Sequence, residues 1–143
     1  MIALETERLL LRRFDPEDWR DLYEYLSRED TVRYEPYGIF DEQSCRREAE
    51  LRAQMEAFRA VCLKGTGKLI GNIYFHRTEP KEFLTWELGY VFNPVYWGGG
   101  YASESCRAVL RHAFEQRGVR RVVARCSPCL LYTSDAADDL LCV

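Results

Sequence analysis

The chain has 143 residues, 47% apolar and 30% charged, with 20 Lys and Arg against 23 Asp and Glu for a net charge of -3. That length supports one domain around one core, and the slightly acidic balance argues against a nucleic-acid binder driven by bulk electrostatics. No apolar run is long enough to span a bilayer and the charged N-terminus lacks a signal-like apolar stretch, so the expected location is the cytoplasm, with no membrane partner.

Residues 8–14 read as an early strand. Asp15-Pro16-Glu17-Asp18 then supplies a capping acid, a proline at the first helical position and acids in the first turn. Trp19, Leu22, Tyr23 and Leu26 follow at helical spacing and are expected to form its buried stripe. Residues 34–40, with Pro36 and Gly38, form a loop carrying aromatic and acidic side chains. Asp41 opens a second, highly charged helix to about residue 54 or 58, with Leu51 and Met55 on its apolar side.

Three β-rich runs come next, at 58–63, 68–77 and 82–92, separated by Gly- or Pro-containing turns as an antiparallel meander requires. The Gly-Thr-Gly-Lys of the first turn lacks the spacing of a phosphate loop and reads as a hairpin. A helix follows the glycines at 98–100, with Ala102, Cys106, Val109, Leu110, Ala113 and Phe114 on one face and Gly118 as its stop. Residues 119–126 form a fifth strand, and the strand–helix–strand crossover implies a locally parallel pair.

The segment with the most chemical content is Trp97-Gly98-Gly99-Gly100-Tyr101-Ala102-Ser103-Glu104, at the junction of strand and helix. Glycine backbone can approach a ligand closely, and the first four amides of a helix have no intrahelical acceptor. Together they make a seat for phosphate oxygens. The pattern is not a dinucleotide fingerprint, since its third glycine falls on Ser103, and no lysine is placed to reach a terminal phosphate. Six cysteines at irregular spacing suggest free thiols. Cys126-x-x-Cys129 has no second Cys/His pair to complete a zinc tetrahedron, so no metal is expected.

Leu88-Gly89-Tyr90, Pro94 and Tyr96 through Glu104 resemble the acetyl-CoA segment of the GNAT N-acetyltransferases, most of all the branch with the ribosomal-protein N-terminal acetyltransferases. In the family pattern Gln/Arg-x-x-Gly-x-Gly/Ala, Trp97 takes the first place, Gly100 the glycine and Ala102 the last. The opening Leu4-Glu5-Thr6-Glu7-Arg8-Leu9-Leu10-Leu11-Arg12 also looks typical of that branch, and the resemblance covers about residues 2–128. It implies an α+β fold, a central mixed and mostly antiparallel sheet flanked by helices. It further implies transfer of an acetyl group from acetyl-CoA to a primary amine, a protein N-terminus or a small amine, by a monomer or homodimer. Trp97, Gly98, Gly99, Gly100, Tyr101, Ala102 and Ser103 would bind the CoA pyrophosphate, and Val91, Phe92 and Asn93 would present backbone groups to the pantetheine.

Glu87 is the candidate general base. It shares a strand face with Thr85 and Gly89, opposite Trp86, Leu88 and Tyr90, and can take a proton directly or through water. An acid paired on the sheet face is the equally weighted alternative. His112 reads as structural, and His76 also reads better as structural than as part of the cleft. Two rival functions stand beside the enzyme: a non-catalytic CoA-binding module, and an inactive truncated fragment.

The fragment reading comes from residues 129–143. Cys129-Leu130-Leu131-Tyr132-Thr133-Ser134-Asp135-Ala136-Ala137-Asp138 is encoded in order by tgt ctc tta tac aca tct gac gct gcc gac, which resembles a transposase-type sequencing adapter. The family resemblance implies an Asn-x-x-Ser helix, the usual source of the general acid, and a final strand in that place. A non-native, disordered tail after an incomplete domain at 1–128 is therefore expected. Setting the tail aside leaves 20 basic residues against 20 acidic ones.

Overall fold

The computed structural model describes residues 3–32, 38–77, 85–116 and 121–125. Six strands lie in chain order across one sheet: β1 (Leu4–Glu5), β2 (Leu9–Arg12), β3 (Phe58–Leu63), β4 (Leu69–Arg77), β5 (Thr85–Phe92) and β6 (Arg121–Arg125). Neighbours are antiparallel through β5. β5 and β6 are parallel, because α4 (Tyr101–Gln116) carries the chain back along the sheet before β6 begins. This is the expected α+β architecture with a mixed, mostly antiparallel sheet. The two-residue β1 lies before the strand expected at residues 8–14 and was not expected from the sequence.

The period-two alternation of the strands builds two cores on the two faces of the sheet. Leu9, Leu11, Val61, Ile73, Leu88 and Tyr90 face α4, whose Cys106, Val109, Leu110 and Ala113 close over them. Ala60, Cys62 and Leu69 face the other way, under α1 (Trp19–Leu26) and α3 (Glu42–Ala53). A buried hydrogen bond crosses this second layer, with the Tyr25 hydroxyl donating to Asn72 Oδ1 at 2.7 Å. α2 (Glu29–Val32) is a single short turn of helix after α1.

Asp15 caps the first helical turn as its sequence implies, its carboxylate accepting from the Glu17 amide at 2.9 Å. The buried stripe of α1 is Leu22, Tyr25 and Leu26 rather than one that includes Tyr23, which is 42% exposed. Burying Tyr25 lets its hydroxyl reach Asn72, so the polar pair fixes the phase of the helix.

α3 departs further from expectation, because Leu51 is 57% exposed and the buried positions are Cys45, Ala49 and Arg52. On a 3.6-residue turn Leu51 lies about 120° around from Cys45. Small residues on the inner face let α3 approach α1 closely. The stem of Arg52 fills the remaining gap, with its guanidinium 4.4 Å from the Phe58 ring centre and its Nε donating to Glu48 at 2.7 Å. Phe114, expected on the buried face of α4, is likewise exposed. It lies about 120° around from Ala102 and off the stripe that Cys106, Val109 and Ala113 define. The aromatic loop residues Tyr34 and Tyr37, the turn at 78–81, Gly118 and everything from Cys126 onward, including the adapter-like tail, lie outside the described residues.

Candidate functional site

The site begins where β5 runs off the sheet. Pairing with β6 runs from Thr85 and Arg121 to Gly89 and Arg125, and β4 continues beside β5 to Phe92. Asn93 donates its amide to Ile70 O at 2.8 Å, so the antiparallel alternation aims Val91 at β4 and turns the amide of Phe92 to the opposite edge. Of the three residues expected to present backbone groups, Phe92 alone has that outward orientation. Its carbonyl accepts the Trp97 indole N–H at 2.9 Å.

Asn93 is fully buried and its role is structural. Its side-chain oxygen accepts from the Val95 amide at 3.1 Å and its Nδ2 donates to Glu24 at 3.2 Å, closing the turn at Pro94–Tyr96. The Trp97 side chain braces the same turn from the other side through its bond to Phe92. Both residues therefore fix where the glycines start.

Gly98 and Gly100 adopt φ of +83° and +81°, conformations that a side chain strains, so two glycines of the three are dictated by the backbone path. α4 starts at Tyr101, and the first amide to find a turn of helix beneath it is that of Glu104, which donates to Gly100 O at 3.0 Å. The amides of Gly100, Tyr101, Ala102 and Ser103 are the four that helix geometry leaves without a helical acceptor. They fan out at the positive end of a 16-residue helix, the arrangement expected for an anion seat. The structure thus places Trp97, Gly98, Gly99, Gly100, Tyr101, Ala102 and Ser103 in one continuous turn and helix start.

Glu87 lies five residues before Phe92 on β5, about 17 Å along the strand at the usual rise. It is half-buried on the face shared with Gly89, opposite Leu88 and Tyr90 as the alternation requires. His76 is its direct partner across β4, and His76, Tyr74 and Phe58 form a row of rings on that face with centroids 4.6 and 4.7 Å apart. The Nδ1 of His76 is buried without a hydrogen-bond partner among the described residues. His112 lies on α4, on the other face of the sheet.

Cys45, Cys62 and Cys106 are buried, and burial pushes Cys45 and Cys62 up to about 11, which keeps them protonated at neutral pH. No cluster of His, Cys, Asp and Glu suited to a metal occurs among those residues.

One group of contacts was not legible in the sequence. Glu104, in the first turn of α4, accepts from the Arg8 amide at 3.0 Å, from Arg8 Nε at 2.7 Å and from the Thr6 hydroxyl. The Arg8 guanidinium also lies 4.2 Å from the Tyr101 ring centre. These contacts tie the β1–β2 turn to the glycine turn across 96 to 98 residues of sequence, and no local pattern announces a pairing at that separation.

Comparison with known proteins gives a concordant result. The model of the acetyltransferase (GNAT) domain matches residues 8–129. An uncharacterized N-acetyltransferase of Bacillus subtilis (strain 168), YnaD, is 36% identical over 126 residues, covering 87% of this chain and 73% of its own length. The crystal structure of a GNAT-family acetyltransferase from Bacillus anthracis superposes with a TM-score of 0.86 at 34% identity, over 96% of this chain and 81% of that one. A putative ribosomal-protein-serine acetyltransferase from Vibrio cholerae shares the fold, with a TM-score of 0.80 at 19% identity over 97% of this chain and 81% of that one.

Proposed function

This chain belongs to the acetyltransferase (GNAT) family, and we propose that the glycine turn and Glu87 are the two ends of its active site. The family's general reaction moves an acetyl group from acetyl-CoA to an amine. In our reading the CoA diphosphate sits on the amides at 98–103. The pantetheine runs back along the outward edge of β5 at Phe92, and the thioester arrives near Glu87. The observation that carries the reading is the alignment of one strand with both ends: its tip delivers the chain into the open amides, and its middle holds the carboxylate.

The acceptor amine attacks the thioester carbonyl carbon, forming the C–N bond, and the C–S bond then breaks to release the CoA thiolate. Glu87 takes the proton that the ammonium must lose before or during attack, directly or through one water. Backbone amides at the edge of β5 stabilise the oxyanion. A thiolate of ordinary pKa, ~8.5, is an adequate leaving group and is protonated by solvent or by a neighbouring acid. Most of the rate comes from holding the two substrates together. The acceptor class is a primary amine on a protein N-terminus or a small molecule.

Thiol release with acetyl-CoA, followed across peptide N-termini, amino acids and polyamines, tests this reading. Glu87→Gln is expected to lower kcat by about 10²-fold or more, the usual contribution of a general base, with the KM for acetyl-CoA unchanged. An unaltered kcat would assign Glu87 to the sheet and not to the chemistry.

A further inference from the structure

We propose that Arg8 is a donor-binding residue, holding the diphosphate of CoA from the flank of the glycine turn. The proposal rests on the reading of residues 98–103 as the phosphate seat and adds to it a cation from the opposite end of the chain. Arg8 Nη2 is the atom nearest to where a Cβ on Gly100 would lie, at 3.5 Å. The guanidinium is already fixed there on two sides, by the Nε bond to Glu104 and by the Tyr101 ring beneath it. Both fixings use the Nε side and the flat face of the group. The two Nη groups have no acceptor among the described residues, and they are the donors suited to phosphate oxygens.

Glu104 has the corresponding positioning role. A carboxylate in the first turn of a helix would oppose an incoming anion. Here both of its oxygens are turned back onto Thr6 and Arg8, which compensates its charge and orients the arginine. An arginine ordered in advance loses less freedom on binding than a mobile surface cation.

The surroundings point to the same ligand chemistry. A groove of about 590 Å³ runs from Gly100 and Ser103 past Arg8 to Arg107 and Arg111, which are one turn apart on α4. Among the described residues Arg107 and Arg111 have no ion-pair partner, while the groove's Glu5 lies 3.2 Å from Lys64. The volume falls in the range of sites for ligands of CoA's kind. The groove therefore opens on the phosphate seat with Arg107 and Arg111 along its wall, and Glu7 beside Arg8.

Calorimetric titration of the full chain with CoA and with pantetheine, which carries no phosphate, tests the assignment. Arg8→Gln is expected to weaken CoA about tenfold and leave pantetheine unaltered, so the ratio of the two affinities falls about tenfold. Arg8→Lys keeps the charge but cannot hold Glu104 and a phosphate together, and its ratio falls by a smaller factor. It decides the matter if Arg8→Gln does not fold. A ratio unchanged in the folded variants overturns the proposal, whether the substitutions are silent or weaken both ligands equally. A parent chain that binds CoA no better than pantetheine overturns the phosphate seat as well.

Discussion

Glu104 shows how one side chain ties the site to the fold. Burial alone would raise its pKa, but the bonds from Thr6 and from the amide and guanidinium of Arg8 outweigh burial and hold it below its ordinary value. A carboxyl whose folded pKa is depressed contributes stability above its unfolded pKa and loses that contribution as pH falls through the folded one. The unfolded reference is 4.5, so the loss belongs to the acid range below it. We therefore expect the Tm difference between the parent and Glu104→Gln to be full at neutral pH and to shrink steadily below about pH 4.5. A difference that persists undiminished at lower pH would show that the carboxylate's charge is not what holds Thr6 and Arg8. Glu104 is also where sequence reading stopped short. Its place after the glycines is legible, whereas its partners lie at the other end of the chain.

Among the elements, β5 and its turn were read well because their signals are local. Strand alternation places Glu87 opposite Leu88, and glycines at φ of +83° and +81° are what a strand-to-helix reversal of this kind requires. The phase of α3 was not legible, since its inner face is made of Cys45, Ala49 and an arginine stem and so carries no apolar periodicity. Tyr25 was missed for a related reason, because the hydrogen bond to Asn72 that selects it over Tyr23 joins two distant elements. The β4–β5 pair also contains a close approach that the sequence does not mark. A Cβ on Gly71 would lie 2.5 Å from the Phe92 ring and 2.8 Å from Val91 O. Gly71→Ala should accordingly destabilise the chain by about 1–3 kcal/mol through overpacking. The check is a urea midpoint that falls with an unchanged m value, and a parent-like midpoint would mean that the strand end yields freely.

At the scale of the molecule, the antiparallel run from β3 to β5 and the parallel β5–β6 pair followed from the meander and the crossover helix, both visible in the sequence, whereas the length suggested one core and the sheet instead separates two, one on each face. The family identity followed from the residues around the glycine turn. That architecture carries the proposed site: the only parallel pair among the described strands puts the end of β5 and the start of α4 at one edge, where four amides without helical acceptors form the proposed phosphate seat. The central claim is that this turn seats CoA. It is tested most directly by titrating CoA into the parent chain and into Gly100→Ala, which changes one φ-restricted position and no charged group. The account predicts saturable binding by the parent and an affinity about tenfold lower for the folded variant, because forcing alanine to φ of +81° costs about 1–2 kcal/mol or moves the amides off the phosphate. Parent-like affinity in a folded Gly100→Ala chain, or no saturable CoA binding by the parent, would contradict it.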